Sequence, residues 1–103
     1  MANRNYLKGR RAEYKLMQKL RKEGASYVMR TAGSHGPVDV IAIGEGLIRM
    51  YQVKQGSMPS KEDREKFAAF ADMATNQGNS DTVECVMVWN GKEYMGGMEI
   101  DNE

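Results

Sequence analysis

The chain has 103 residues, of which 41% are hydrophobic, and its formal net charge is +1. This length fits a single domain spanning residues 1–103, and no segment has the roughly 20 consecutive apolar residues that a membrane-spanning helix needs. The single cysteine, Cys85, excludes an intramolecular disulfide and favours a reducing compartment. The first residues contain no apolar signal segment, so we expect a cytoplasmic protein, in the host cytoplasm if its source is viral.

The small net charge hides an uneven distribution along the chain. Residues 1–30 carry nine Lys/Arg against two acids, whereas residues 81–103 carry one Lys against six acids. A basic segment in a near-neutral protein favours a surface that binds a polyanion. On charge alone, a solvated helix face is the plainer interpretation.

The first predicted element is a helix over residues 6–23 that ends at Gly24. Glu13 lies three and four residues before apolar positions of this helix, and therefore on the same side. An acid on the inward side of an otherwise basic helix favours a functional role. An ion pair at the rim with Arg10 or Lys15 is the alternative. The apolar stripe consists of Leu16, Met17 and Leu20.

Three β-like runs follow the helix, over residues 26–30, 38–43 and 47–53. The first two are separated by the glycine-rich segment 31–37, which is too long for a tight hairpin. The second and third are joined by the compact turn 44–46, which predicts an antiparallel pair.

A second helix is predicted over residues 61–76, with an apolar face that includes Phe67 and Phe70. Strands over 82–89 and 93–100 then flank an Asn-Gly hairpin turn. The order is α-β-β-β-α-β-β. It predicts an α/β fold in which a central mixed five-stranded β-sheet is flanked by helices.

Strand alternation predicts which polar side chains meet. In an antiparallel pair that turns at residues 44–46, Asp39 and Gln52 lie roughly opposite each other near the open end, and a slip of one residue would separate them. Lys54 shares the face of Gln52. The first helix, packed across the sheet, can deliver Glu13 to the same end.

This set of residues has the chemistry of metal-assisted phosphodiester hydrolysis. Mg²⁺ prefers oxygen ligands, which Glu13 and Asp39 can supply as carboxylates, Gln52 as an amide and Val53 as a backbone carbonyl. Lys54 can position an attacking water and stabilise the charge of the transition state. The sequence has no His/Cys cluster for zinc and no glycine-rich loop for a nucleotide cofactor.

The same residues stand in the segments GRRAEY (9–14), VMRTAGSHGPVDVIA (28–42) and YQVK (51–54). In order and spacing, these segments closely resemble the archaeal-type Holliday junction resolvases of the PD-(D/E)XK nuclease superfamily. The run from Arg30 to Ser34 distinguishes this family from generic superfamily members. The resemblance extends roughly over residues 6–76 and implies a restriction-endonuclease-like fold.

The resemblance implies a metal-dependent site of Glu13, Asp39, Gln52 and Lys54, with Ser34 of the loop contributing to cleavage. Mg²⁺ is the implied metal, and Mn²⁺ is expected to substitute for it. The family usually has glutamate where this chain has Gln52, so we expect weaker metal binding. DNA phosphates are expected to contact a set of basic residues in the first helix and the loop, namely Lys8, Arg10, Arg11, Lys15, Arg30 and His35.

We therefore expect a Mg²⁺-dependent endonuclease that resolves four-way (Holliday) junctions by paired symmetric nicks. The resemblance also implies a homodimer, whose two-fold axis would match the symmetry of the junction. Two alternatives stay open: a related nuclease for other branched or linear DNA, and a non-catalytic junction-binding protein. The amide of Gln52 motivates the second alternative.

Overall fold

The computed structural model describes residues 4–31, 37–75, 82–95 and 98–99. Its elements, in chain order, are helix α1 (Arg4–Lys22), strands β1 (Tyr27–Arg30), β2 (Val40–Gly44) and β3 (Leu47–Lys54), helix α2 (Lys61–Thr75), and strands β4 (Val83–Trp89), β5 (Lys92–Met95) and β6 (Met98–Glu99). The predicted α/β order is confirmed. Among these residues, no helix is both long and apolar enough to cross a membrane.

The strands form one mixed sheet in the order β1-β2-β3-β4-β5-β6. Strands β3 and β4 are parallel, and every other neighbouring pair is antiparallel. A parallel pair needs a long crossover connection, which α2 provides. The predicted mixed sheet flanked by helices is therefore confirmed.

The segment predicted as a single fifth strand contains two short strands. Strand β5 pairs with β4, and β6 pairs back on β5 in antiparallel orientation. Positions 96 and 97 between them are both glycine, a residue that weakens strand interiors and marks interruptions.

Helix α1 ends as the sequence predicts, at a glycine. Gly24 has a φ of +101°, a conformation that L-residues with a side chain rarely adopt. Its N–H donates to the carbonyl of Arg21 (3.2 Å), and the N–H of Ala25 donates to that of Leu20 (3.1 Å). This pair of bonds is the Schellman motif, which satisfies carbonyls left free by the last helical turn.

The core lies between α1 and one face of the sheet. Tyr51 and Val40 are its largest fully buried side chains, at 1% and 0% exposure. The other buried members are Leu16, Met17 and Leu20 of α1 and Val28, Ala42, Val53, Val86 and Val88 of the sheet. Strand alternation directs Gln52 and Lys54 to the opposite face, where α2 packs on β4.

The β2–β3 hairpin turns at Glu45 and Gly46, which both have positive φ (54° and 77°). Positive φ at both central residues is the pattern of the type I′ turn, whose twist suits two antiparallel strands. The resulting register pairs Val40 with Tyr51 and Ile41 with Met50. The two most buried residues of the core are thus direct partners.

Substituting Leu20→Ala tests how firmly α1 is fixed to the sheet. Leu20 is 3% exposed, so the substitution removes packed methyl groups and should lower the free energy of unfolding by about 2–5 kcal/mol. Urea unfolding followed by circular dichroism measures this change. Gln18→Ala, on the exposed side of the same helix, is the control and should leave stability within about 0.5 kcal/mol of the parent. Equal stabilities of the two variants would contradict this packing.

Candidate active site

Asp39 immediately precedes β2 and is fixed by three hydrogen bonds. Its backbone N–H donates to the carbonyl of Tyr51 (2.8 Å), and its own carbonyl accepts from the N–H of Thr31 (2.9 Å). Its carboxylate Oδ2 accepts from the N–H of Val53 (2.9 Å). Asp39 therefore lies beside the stretch of β3 that contains Gln52, as strand alternation predicts.

The environment of Asp39 opposes its negative charge. Burial raises the pKa of its carboxyl group above the ordinary 3.8, and the nearby charge of Glu13 raises the pKa further. The hydrogen bond from Val53 and the charges of Lys54 and Arg30 act the other way, but the net shift of the pKa is upward. A carboxylate whose ionised form is opposed by burial and by a second acid belongs to a site that favours a cation.

Glu13 lies on α1 and forms an ion pair with Arg30 at the end of β1. Arg30 Nε donates to Glu13 Oε1 over 2.6 Å, and the two side chains are only 21% and 18% exposed. The ion-pair partner that the described residues give Glu13 is thus Arg30, where the sequence left Arg10 or Lys15 as the alternative. Arg30 is directed to Glu13, and its positive charge also acts to lower the pKa of Asp39.

Tyr14 adds an aromatic surface next to Glu13. The guanidinium carbons of Arg10 and Arg30 each lie 5.8 Å from the centre of its ring, a distance at which cations are attracted to an aromatic face. The ring remains 45% exposed. Sequence reasoning assigned no role to Tyr14, although its i+4 spacing from Arg10 on a helix is a detectable signal.

Gln52 carries an unsatisfied polar atom. Its side-chain oxygen Oε1 is buried and has no hydrogen-bond partner among the residues that the structure describes. Such a group costs about 1–3 kcal/mol relative to a paired one. An oxygen of this kind, on the strand beside the half-buried Asp39, can act as a ligand.

Lys54 is the last residue of β3 and is directed toward α2. Its Nζ lies 3.5 Å from Oδ2 of Asp63, in the first turn of that helix. Asp63 was not predicted to belong to the site. The signal was present, because Asp63 lies four residues before the buried Phe67, just as Glu13 precedes the stripe of α1.

The remaining predicted residues lie on α1 or outside the described part of the chain. Arg10, Arg11 and Lys15 lie on exposed positions of α1. Lys8 is in α1 as well, but its side chain lies outside the described part of the chain. Ser34 and His35 fall in residues 32–36, which are outside it altogether.

The donors fit a hard divalent cation such as Mg²⁺. Within the described ranges, no three His, Cys, Asp or Glu side chains lie close enough to hold a metal ion by themselves. The carboxylates of Glu13 and Asp39 therefore need other oxygens beside them. The unpaired oxygen of Gln52 and the backbone carbonyl of Val53 are of the type that Mg²⁺ accepts.

Comparison with known proteins identifies the family. A family model described as archaeal Holliday junction resolvase matches residues 4–85, which include the site. The chain belongs to the archaeal Holliday junction resolvase family. Resolvases of this family are endodeoxyribonucleases, so the resemblance seen in the sequence is confirmed.

A solved structure shares the resolvase fold. It is that of a Holliday junction resolvase from the archaeal hyperthermophile Archaeoglobus fulgidus, with a TM-score of 0.58 and 22% identity. The similarity covers 93% of this chain and 79% of the archaeal one. No curated protein sequence matches the chain.

Substituting Asp39→Asn should stabilise the metal-free protein at neutral pH. A carboxyl group whose pKa is raised by folding holds its proton more tightly in the folded state than in the unfolded state. The protonated group therefore stabilises the fold below pH 3.8, and this stabilisation is lost as the pH rises through the folded pKa. Asparagine keeps an oxygen for the Val53 N–H and never ionises. The free energy of unfolding should therefore exceed that of the parent at pH 7, and the gain should vanish near pH 3.

Urea unfolding with a chelator present, repeated across this pH range, measures the difference. Asp72→Asn, at an exposed position of α2, is the control. A stability loss in Asp39→Asn at pH 7 would contradict the inferred cost of ionised Asp39.

Proposed function

We propose that the chain is a Mg²⁺-dependent, structure-selective endonuclease that resolves four-way DNA junctions by paired symmetric nicks. Membership of the resolvase family supports the substrate. The observation that supports it most is the half-buried carboxylate of Asp39, whose ionised form is opposed by the charge of Glu13. Gln52 lies on the neighbouring strand, and its buried side-chain oxygen has no hydrogen-bond partner among the described residues. Ionised Asp39 near Glu13 is unfavourable in the free protein, and a bound cation would offset this cost.

In this proposal Glu13, Asp39 and Gln52 would hold the metal through side-chain oxygens, and Val53 would contribute its carbonyl. When bound, Mg²⁺ supplies charge that polarises the scissile phosphate and lowers the pKa of a bound water, and Mn²⁺ can replace it. The N–H of Val53 keeps one carboxylate oxygen of Asp39 in place, which leaves the other oxygen for ligation. Glu13, which is paired with Arg30 in the free protein, would have to turn from Arg30 to hold the cation.

Lys54 acts on the substrate side of the site. It follows Gln52 by two residues on the same face of β3, and its positive charge acts on the carboxyl group of Asp39. A lysine offers three donors and a localised positive charge. It can orient the attacking water and stabilise the extra negative charge of the phosphorane-like transition state.

The basic face of α1 supports binding of the DNA backbone. Arg10, Arg11 and Lys15 are exposed on the helix that also carries Glu13, so phosphates bound there are delivered to the acids. Backbone contacts carry no base information, which suits an enzyme that recognises branched shape. Ser34 is proposed to assist cleavage, and Lys8, Arg30 and His35 are proposed as further phosphate contacts.

A homodimer is proposed because a junction has two strands to cut and each chain carries one site. The sheet face opposite α1 leaves Tyr27, Met29 and Ile43 exposed by 56%, 38% and 39%. Tyr27 and Ile43 are direct partners across β1 and β2, so the three side chains form one apolar patch. A second copy of the chain would cover apolar surface and place two sites about a two-fold axis.

Cleavage of a synthetic four-way junction in Mg²⁺ tests the function. The parent should produce paired nicks at symmetric positions and sediment as a dimer. Asp39→Asn and Lys54→Ala should each lower the cleavage rate by about 10²–10³-fold while binding the junction normally, because they remove electrostatic stabilisation of the reaction.

Lys66→Ala, which removes an exposed lysine of α2, is the matched control and should cut like the parent. If the parent and both site variants bind the junction but are equally inert, the chain is a binding protein. Faster cutting of flap or linear duplex than of the junction would instead favour a related nuclease with another substrate.

Substituting Gln52→Glu should keep activity and lower the Mg²⁺ concentration needed for half-maximal cleavage. The carboxylate retains an oxygen at the same place and adds a charge that attracts the cation. A tenfold shift in the Mg²⁺ midpoint corresponds to about 1.4 kcal/mol. Gln52→Leu, which has no oxygen to offer, is the control and should raise the requirement. Complete loss of cleavage in Gln52→Glu would show that the amide has a different role.

A further inference from the structure

Asp63 is an acid on the inward stripe of α2, where apolar residues are expected. Its flanking residues Glu62 and Arg64 are exposed, whereas Asp63 is half-buried and lies one turn before the buried Phe67. Polar groups in such positions are either structural caps or functional. The contacts of Asp63 distinguish these two roles.

The cap at the start of α2 does not use the carboxylate of Asp63. Ser60 supplies the cap, because its hydroxyl oxygen accepts a hydrogen bond from the backbone N–H of Asp63 (3.1 Å). The backbone N–H of Arg64 donates to the carbonyl of Ser60 (3.0 Å). These bonds fix the backbone of Asp63 and leave its side chain available for another partner.

That partner is Lys54. Oδ2 of Asp63 lies 3.5 Å from Nζ of Lys54, and the two side chains are 42% and 35% exposed. Lys54 has four rotatable side-chain bonds, so without a partner its ammonium group would sample many positions at the end of β3. One donor directed to Asp63 leaves two for phosphate oxygen and water.

We propose that Asp63 is a positioning residue that fixes the ammonium group of Lys54 toward the proposed site. The inference rests on the proposed function for its catalytic consequence, but the positioning itself is a property of the free protein. Asp63 acts through Lys54 and does not touch the substrate. It joins α2 to a site that is otherwise built from α1 and strands β1 to β3.

The variant Asp63→Asn tests this role with little change in shape. Asparagine keeps the side-chain size and the backbone N–H that Ser60 caps, while it removes the charge and replaces one acceptor oxygen by an NH2 group that repels the Lys54 ammonium. Glu62→Gln is the matched control, because it removes a charge from the same helical turn, where Glu62 pairs with Lys66 and is 75% exposed. Both variants weaken the favourable interaction with the helix dipole to a similar extent.

The first measurement is the ¹⁵N relaxation of the Lys54 ammonium group in the free protein. Its order parameter should fall in Asp63→Asn and stay at the parent value in Glu62→Gln. Asp63→Glu, whose longer side chain still reaches Lys54, should restore the order. An unchanged order parameter in Asp63→Asn would overturn the proposal, whether or not the protein cleaves DNA.

The second measurement is junction cleavage in Mg²⁺. Asp63→Asn should lower kcat by about three- to tenfold. The effect is modest because a half-exposed ion pair restricts the lysine side chain only weakly. KM for the junction, the Mg²⁺ midpoint and the melting temperature should match those of Glu62→Gln. Equal kcat in these two variants would overturn the catalytic consequence. An inert parent would instead refute the proposed function, and the relaxation result would still decide whether Asp63 positions Lys54.

Discussion

The register of the β2–β3 hairpin is the constraint on which both the core and the site depend. The turn at Glu45 and Gly46 pairs Val40 with Tyr51, and the same pairing brings Asp39 beside Gln52. A shift of one residue would exchange the two faces of a strand. Such a shift would remove Tyr51 from the core and direct Gln52 toward α1. Burial of apolar side chains on one face of the hairpin therefore fixes Gln52 on the other face and Asp39 at the strand end. The two-residue turn sets the register on which both the core and the site depend.

The site is built from groups that reduce the stability of the free protein. Asp39 is a carboxylate whose ionised form is opposed by burial and by Glu13, and the buried oxygen of Gln52 has no hydrogen-bond partner within the described ranges. Arg30 offsets part of this cost through its bond to Glu13, and Lys54 through its charge near Asp39. Proteins tolerate such unfavourable arrangements mainly at functional sites. A bound cation would satisfy the carboxylates and the amide together, which connects the local cost to the proposed chemistry.

Much of this architecture is predictable from the sequence, because it follows from local rules. Glycine at position 24, strand alternation around Asp39 and the inward place of Glu13 each have a short-range cause. The pairing of Arg30 with Glu13 has no such short-range cause, since it depends on how α1 lies across the end of β1. The bond from Val53 to Asp39 likewise needs the three-dimensional path of the chain just before β2. The division of the predicted fifth strand into β5 and β6 was not predicted, because the Asn-Gly turn before it indicated one strand; the two adjacent glycines at positions 96 and 97 were the available sequence signal.

The central claim is that Glu13, Asp39 and Gln52 form one cation site at the open end of the hairpin. Crystals soaked in Mn²⁺ test it directly, because anomalous scattering locates this ion without ambiguity. We expect an ion bound by Asp39 and by Oε1 of Gln52, with Glu13 turned from Arg30 to the metal at ordinary oxygen–metal distances of about 2.0–2.3 Å. An ion bound elsewhere, or Glu13 still paired with Arg30 and Gln52 without a ligand at saturating Mn²⁺, would contradict it.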